Sequence, residues 1–125
     1  MGKKIITSDK LPVFGPYSAA VEAAGLIFIS GQIPFNPATG EISNEIKTAA
    51  RQALANIQTV LQEAGLKMTN IVKTTIFLKD MEDFPAVNEI YADFFPVEPP
   101  ARSTIEVSAL PKGAPIEIEA IAIRK

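Results

Sequence analysis

The chain has 125 residues, room for a single domain, and residues 1–125 are read as one. With 47% hydrophobic and 21% charged residues it has the composition of a soluble globular fold, and a net charge of -2 gives no electrostatic case for gripping a phosphate backbone. It contains no cysteine and no histidine, which excludes disulfides, thiolate nucleophiles, Ser-His-Asp triads and metal sites built on either residue. Chemistry is left to carboxylates, guanidinium and ammonium groups, hydroxyls, backbone dipoles and water.

No apolar run approaches the roughly 20 residues of a membrane span. The lysines at the N-terminus precede no signal-peptide-length apolar stretch, so a cytoplasmic protein without membrane contact is expected. Ser18 to Ala24 alternates loosely, Gly25 permits a tight reversal, and Leu26 to Ser30 reads as the return strand of a hairpin. Gly31, Pro34, Pro37 and Gly40 stop that strand and mark a loop. From Glu45 the period changes: Ile46, Ala49, Ala50, Ala53, Leu54, Ile57, Val60, Leu61 and Ala64 make one helical stripe. Ser43 is placed as its N-cap and Gly65 as its C-terminal cap.

The β-branched run Ile71 to Leu78 predicts a strand. Asp83 is placed to cap a second helix with the stripe Phe84, Val87, Ile90 or Tyr91, and Phe94; Pro85 fits its first turn. Arg102 to Val107 and Ile116 to Ile123 close the chain as strands. The order implies an α+β layer, a single mixed sheet with two helices packed on one face. On the last strand, Ile116, Ile118, Ala120 and Ala122 form an apolar face for the helices to cover. Glu117, Glu119, Ile121 and Ile123 form the other, half apolar with no third helix to cover it, which implies a homo-oligomer packed through that face.

Few residues offer chemistry. Arg102 shares a strand face with Thr104, Glu106 and Ser108; its planar fork suits a carboxylate, and pairing with Glu106 is the ordinary alternative. Glu117 could hold and polarise a water in a partly dry cleft, or be a plain surface glutamate. Gly31, after Ser30, would let a ligand approach the backbone, or simply end a strand. Tyr17 lies in a Gly15-Pro16-Tyr17 turn, and Asn88 lies mid-helix. No phosphate-cradling loop, dinucleotide fingerprint or metal-ligand spacing is present in the sequence.

The strings Gly15-Pro16-Tyr17-Ser18, Ile29-Ser30-Gly31-Gln32-Ile33-Pro34, Pro100-Ala101-Arg102-Ser103 and Ile116-Glu117-Ile118-Glu119-Ala120, together with Val72 to Asp80, resemble the Rid family. These are reactive intermediate deaminases of the RidA or YjgF type, and the resemblance covers nearly the whole chain. It implies the chorismate-mutase-like RidA fold, a homotrimer with a central barrel, and clefts between subunits. It implies hydrolysis of 2-imino or enamine acids, such as 2-aminoacrylate or 2-iminopropanoate, to 2-oxo acids and ammonia, without cofactor or metal. Arg102 would bind the substrate carboxylate and Glu117 would position the attacking water. Ser30, Gly31, Tyr17 and Asn88 would line the pocket. Thr104 stands where many members have cysteine; its backbone N–H can still bind substrate, but thiol-based regulation is excluded. Two other roles are compatible with such a resemblance: a non-catalytic binder of small carboxylates, which has no need of Glu117, and a translation-inhibiting ribonuclease. The charge and the missing histidines argue against the latter.

Overall fold

The computed structural model describes residues 2–125. Strands β1 (Lys4–Ile6), β2 (Ala20–Ala23) and β3 (Leu26–Gln32) lead into helix α1 (Ile46–Glu63); β4 (Ile71–Leu78), helix α2 (Phe84–Phe94), β5 (Ala101–Glu106) and β6 (Ile116–Ile123) follow. One mixed six-stranded sheet runs β1-β2-β3-β6-β4-β5, as the α+β reading expects. Its pairs are antiparallel except β4 with β5. A parallel pair cannot be joined by a hairpin, so α2 makes the crossover and runs back over the sheet.

Ile116, Ile118, Ala120 and Ala122 are buried, as the alternation of β6 requires. Against them α1 packs Ala49, Ala53, Leu54, Ile57, Val60 and Leu61; its alanines let helix and sheet approach closely. The second helix adds Val87, Ile90 and Tyr91 on the same side, where the Tyr91 hydroxyl lies 2.7 Å from Thr74 Oγ1. Full burial of one such large apolar side chain contributes about 1.5–3 kcal/mol.

Four local expectations need correction. Strand β1, Lys4–Ile6, is not expected from the sequence: it is too short for alternation to register and buries only Ile6. Gly31 does not stop β3; the strand continues to Gln32, and its pairing with β6 shifts register between Ile29 and Gln32. Glu45, not Ser43, caps α1: its longer carboxylate reaches Thr48 N at 2.8 Å and Lys47 N at 3.1 Å. Ser43 Oγ instead accepts from Glu45 N, at 3.1 Å. Asp83 sits at the start of α2 in a helical conformation (φ -77°, ψ -6°) and makes no side-chain cap. The chain enters through a one-turn segment, Met81–Asp83, capped by Asp80 through Glu82 N. Gly65 ends α1 as expected, with φ 75°; Gly65 N donates to Gln62 O and Leu66 N to Leu61 O, a Schellman closure.

The sheet's other face is bare. Leu26 pairs with Ile123, Phe28 with Ile121, and Phe77 with both Glu117 and Ile105. Phe28 is 44% exposed and Ile105 45%, too much apolar area for a face meant for water alone.

Candidate active site

Two groups of residues form, one on each face. On the helical face, Arg102 in the edge strand β5 is registered with Thr74, which is fully buried. Its guanidinium carbon lies 4.8 Å from the centre of the Tyr91 ring and 5.3 Å from that of Phe84. Asn88 falls one turn after Phe84 and one turn before Tyr91, hence on the same stripe. Thr104 is two residues beyond Arg102 on the same strand face. Asn88 Oδ1 and Thr104 Oγ1 are buried and lack hydrogen-bond partners among the described residues. Buried polar atoms are nearly always bonded, so these two unpartnered atoms on the face of Arg102 stand out as candidate ligand contacts.

Glu106 does not neutralise Arg102. It accepts a hydrogen bond from Met81 N at 2.8 Å, and among the described residues Arg102 has no ion pair. The result is a partly buried guanidinium lying over two aromatic rings with no ion pair among the described residues.

On the bare face, Glu117 is half-buried. Burial chiefly, and the neighbouring Glu119 charge next, push its carboxyl above the usual 4.5. It lies against Gly31: a Cβ there would overlap Glu117 Oε2 and come within 2.7 Å of Cδ. This glycine is needed for close approach, since its φ is not left-handed. Ser30 Oγ donates to Ser18 O at 2.6 Å, tying β3 to the preceding turn. The Tyr17 hydroxyl accepts from Phe14 N at 3.2 Å.

Between Tyr17, Gly31 and Glu117 opens a cavity of about 150 Å³. Asn56 anchors one of its walls. Buried in α1, it donates to Ile33 O at 3.1 Å and Phe35 O at 2.9 Å, and accepts from Gln52 at 2.8 Å. Sequence reasoning missed it, although an amide three residues after Ala53 and four before Val60 stands out on an apolar stripe. It also took Phe84 and Tyr91 for core alone.

The structure therefore brings together Tyr17, Gly31 and Glu117 around one cavity, with Ser30 beside Gly31 but bonded to Ser18 O rather than lining it, and separately places Asn88, Arg102 and Thr104 on the other face. It does not bring the two groups together within one chain. Among the described residues no cluster of three or more acidic side chains could hold a metal ion, and no helix is long and apolar enough to cross a membrane.

One mixed six-stranded sheet with two helices on one face defines a small α+β protein. Comparison with known proteins makes the class specific. The family model described as Endoribonuclease L-PSP matches residues 7–124. A 2-iminobutanoate/2-iminopropanoate deaminase of Escherichia coli K12 is 47% identical over 128 residues, covering 100% of both chains. A Rid-family protein of unknown function from Yersinia pestis superposes with a TM-score of 0.94 at 50% identity, covering 98% of this chain and 99% of that one. TdcF of E. coli, solved with bound serine, superposes with a TM-score of 0.93 at 41% identity, again covering 98% and 99%. The chain belongs to the Rid family, as the strings around Gly31, Arg102 and Glu117 suggest.

Proposed function

We propose that this chain hydrolyses 2-imino acids and their enamine tautomers, such as 2-aminoacrylate and 2-iminopropanoate, to 2-oxo acids and ammonia, in a cleft between two copies. One observation carries the reading: a partly buried guanidinium that has no ion pair among the described residues on one face, and a half-buried carboxylate over Gly31 on the other. Each wall is half of a site. Arg102 rides the edge strand, from which it can reach a neighbour. The uncovered apolar face supports association, and a homotrimer with a central barrel is the arrangement proposed. The deaminase relative supports the reaction.

In this reading Arg102 holds the substrate carboxylate through two parallel N–H donors. Asn88 and Thr104 meet the substrate's polar edge, and Ser30, Gly31 and Tyr17 close the facing wall. The reacting form is the protonated imine. A water oxygen bonds to its carbon, the C=N π pair moves onto nitrogen and Glu117 takes one water proton, giving a neutral carbinolamine. Glu117 returns that proton to the nitrogen, and the C–N bond breaks with its electron pair on nitrogen, releasing ammonia. The hydroxyl oxygen forms the carbonyl as its proton passes through Glu117 to the ammonia, which leaves as ammonium. The step is a hydrolysis, with no electron transferred to or from a cofactor.

The test is turnover of imines generated by an amino-acid oxidase, with semicarbazide trapping the imine that remains. Arg102→Ala should lose roughly 100-fold or more, since each charge-assisted hydrogen bond contributes about 1.5–3 kcal/mol. Near-normal rates would overturn the assignment. A second reading, binding of a small carboxylate without turnover, is favoured by the relative solved with bound serine, an amino acid with no C=N bond. Under that reading Glu117→Gln leaves function intact.

A further inference from the structure

The cavity beside Glu117 and Gly31 has more room than a methyl or ethyl group needs. Its walls are apolar apart from Tyr17, Gln32 and Glu117, and no basic side chain lines it. Its shape is braced on several sides. Phe14 and Phe35 pack edge to face with centroids 5.5 Å apart. Asn56 fixes the carbonyls on either side of Pro34, and the Tyr17 hydroxyl holds the Phe14 amide. Lys112 lies 4.8 Å above the Phe14 ring but does not line the cavity. Apolar cavities of about 150 Å³ accept a benzene ring.

We propose that this cavity is the subsite for the substrate's side chain, and that it selects imino acids carrying bulky apolar groups of isobutyl or benzyl size. The inference rests on the deaminase reading, because it takes the reacting carbon to sit beside Glu117. A side chain on that carbon then enters the cavity, between Val13, Phe14, Ile33 and Phe35. Small side chains leave those surfaces unsatisfied. An acidic side chain brings a second carboxylate out of water, against aromatic walls and next to Glu117, with no cation in the cavity to offset the desolvation.

The experiment compares kcat/KM for oxidase-generated imines of alanine, leucine, phenylalanine and aspartate on the full-length protein. The leucine and phenylalanine imines should exceed the alanine imine by about tenfold or more, a usual discrimination for an apolar pocket. The aspartate imine should fall below all three. Val13 is 45% exposed, so Val13→Phe can fill the cavity with little risk to folding. It should compress the leucine-to-alanine ratio towards one. Calorimetric binding of 4-methyl-2-oxopentanoate against pyruvate reads the same subsite without turnover. Turnover of all four imines at similar rates, or a ratio untouched by Val13→Phe, overturns the subsite and leaves the deaminase reading standing. Ranked binding without turnover supports the subsite and overturns the deaminase reading. Neither turnover nor ranked binding overturns both.

Discussion

Arg102 and Glu117 stand on opposite faces of the same sheet. Arg102 is registered beside buried Thr74, and Glu117 beside Phe77 on the bare side. A strand's side chains alternate between faces, and none crosses the sheet. A single copy therefore cannot present guanidinium and carboxylate to one small substrate. The bare face carrying Phe28, Ile105, Ile121 and Ile123 offers the means of association. The edge position of β5 offers Arg102 a route to a neighbour.

The contact between Gly31 and Glu117 predicts a separation of stability from activity. Gly31→Ala needs no unusual φ, and the atoms it strikes belong to one flexible side chain. The variant should fold with stability within about 1 kcal/mol of the parent. Its added Cβ displaces the Glu117 carboxylate, so kcat should fall steeply. A urea midpoint and an imine assay on the same preparation check both halves. A variant that turns over normally would remove Glu117 from the reaction.

The raised carboxyl of Glu117 sets the direction of pH dependence. Burial and Glu119 both disfavour its charged form, which a base requires. Activity should rise with pH through a limb lying above 4.5, the ordinary glutamate value. Glu119→Gln removes a like charge and should move that limb to lower pH. Stability shows the opposite trend: the burial cost is absent below the unfolded value and fully present above the folded one. A limb unmoved by Glu119→Gln assigns the titration to another group.

Thr104 tests the ligand wall. Thr104→Val keeps the side chain's shape and removes a buried hydroxyl that has no partner. Stability should hold or rise, by up to about 1 kcal/mol, because no bond is lost. Catalytic efficiency should fall about threefold to tenfold, one neutral hydrogen bond to substrate. Loss of stability with unchanged kcat/KM would give the hydroxyl to the fold.

Both helices, five of the six strands and the buried face of β6 were legible because each carries a readable period or a β-branched run. Lys4–Ile6 was not, since three residues with one buried position hardly alternate. The cap of α1 went to a neighbouring residue, since Glu45 reaches two amides that Ser43 does not; Asp83 holds the N-cap position of α2 but is already helical and makes no side-chain cap. The fate of Glu106 was illegible as well. Strand alternation offers it to Arg102, and only the fold brings Met81 N to within 2.8 Å of it. The cavity draws on residues 11–35, Pro111 and Glu117, which no local pattern joins. The separation of Arg102 from Glu117 depends on how β4 registers with β5 and β6 together, and pairing is not written in any one strand.

Asn56 carries a prediction about the fold beneath the site. Asn56→Leu leaves the carbonyls of Ile33 and Phe35 without their donor. Each buried acceptor left unpaired costs about 1–3 kcal/mol. Urea denaturation should show a lower midpoint with an unchanged slope. An unchanged midpoint would mean that water replaces the amide at no cost.

The most direct measurement is complementation between two inactive chains. Arg102→Ala lacks one wall and Glu117→Gln the other. In a ring of copies assembled from an equal mixture, about a quarter of the interfaces draw both intact walls from different chains. Imine turnover should therefore recover to about that fraction of the parent rate in the mixture, and to nothing in either variant alone. Mixed oligomers that form, as mass spectrometry can verify, yet stay inactive would contradict a site shared between two copies.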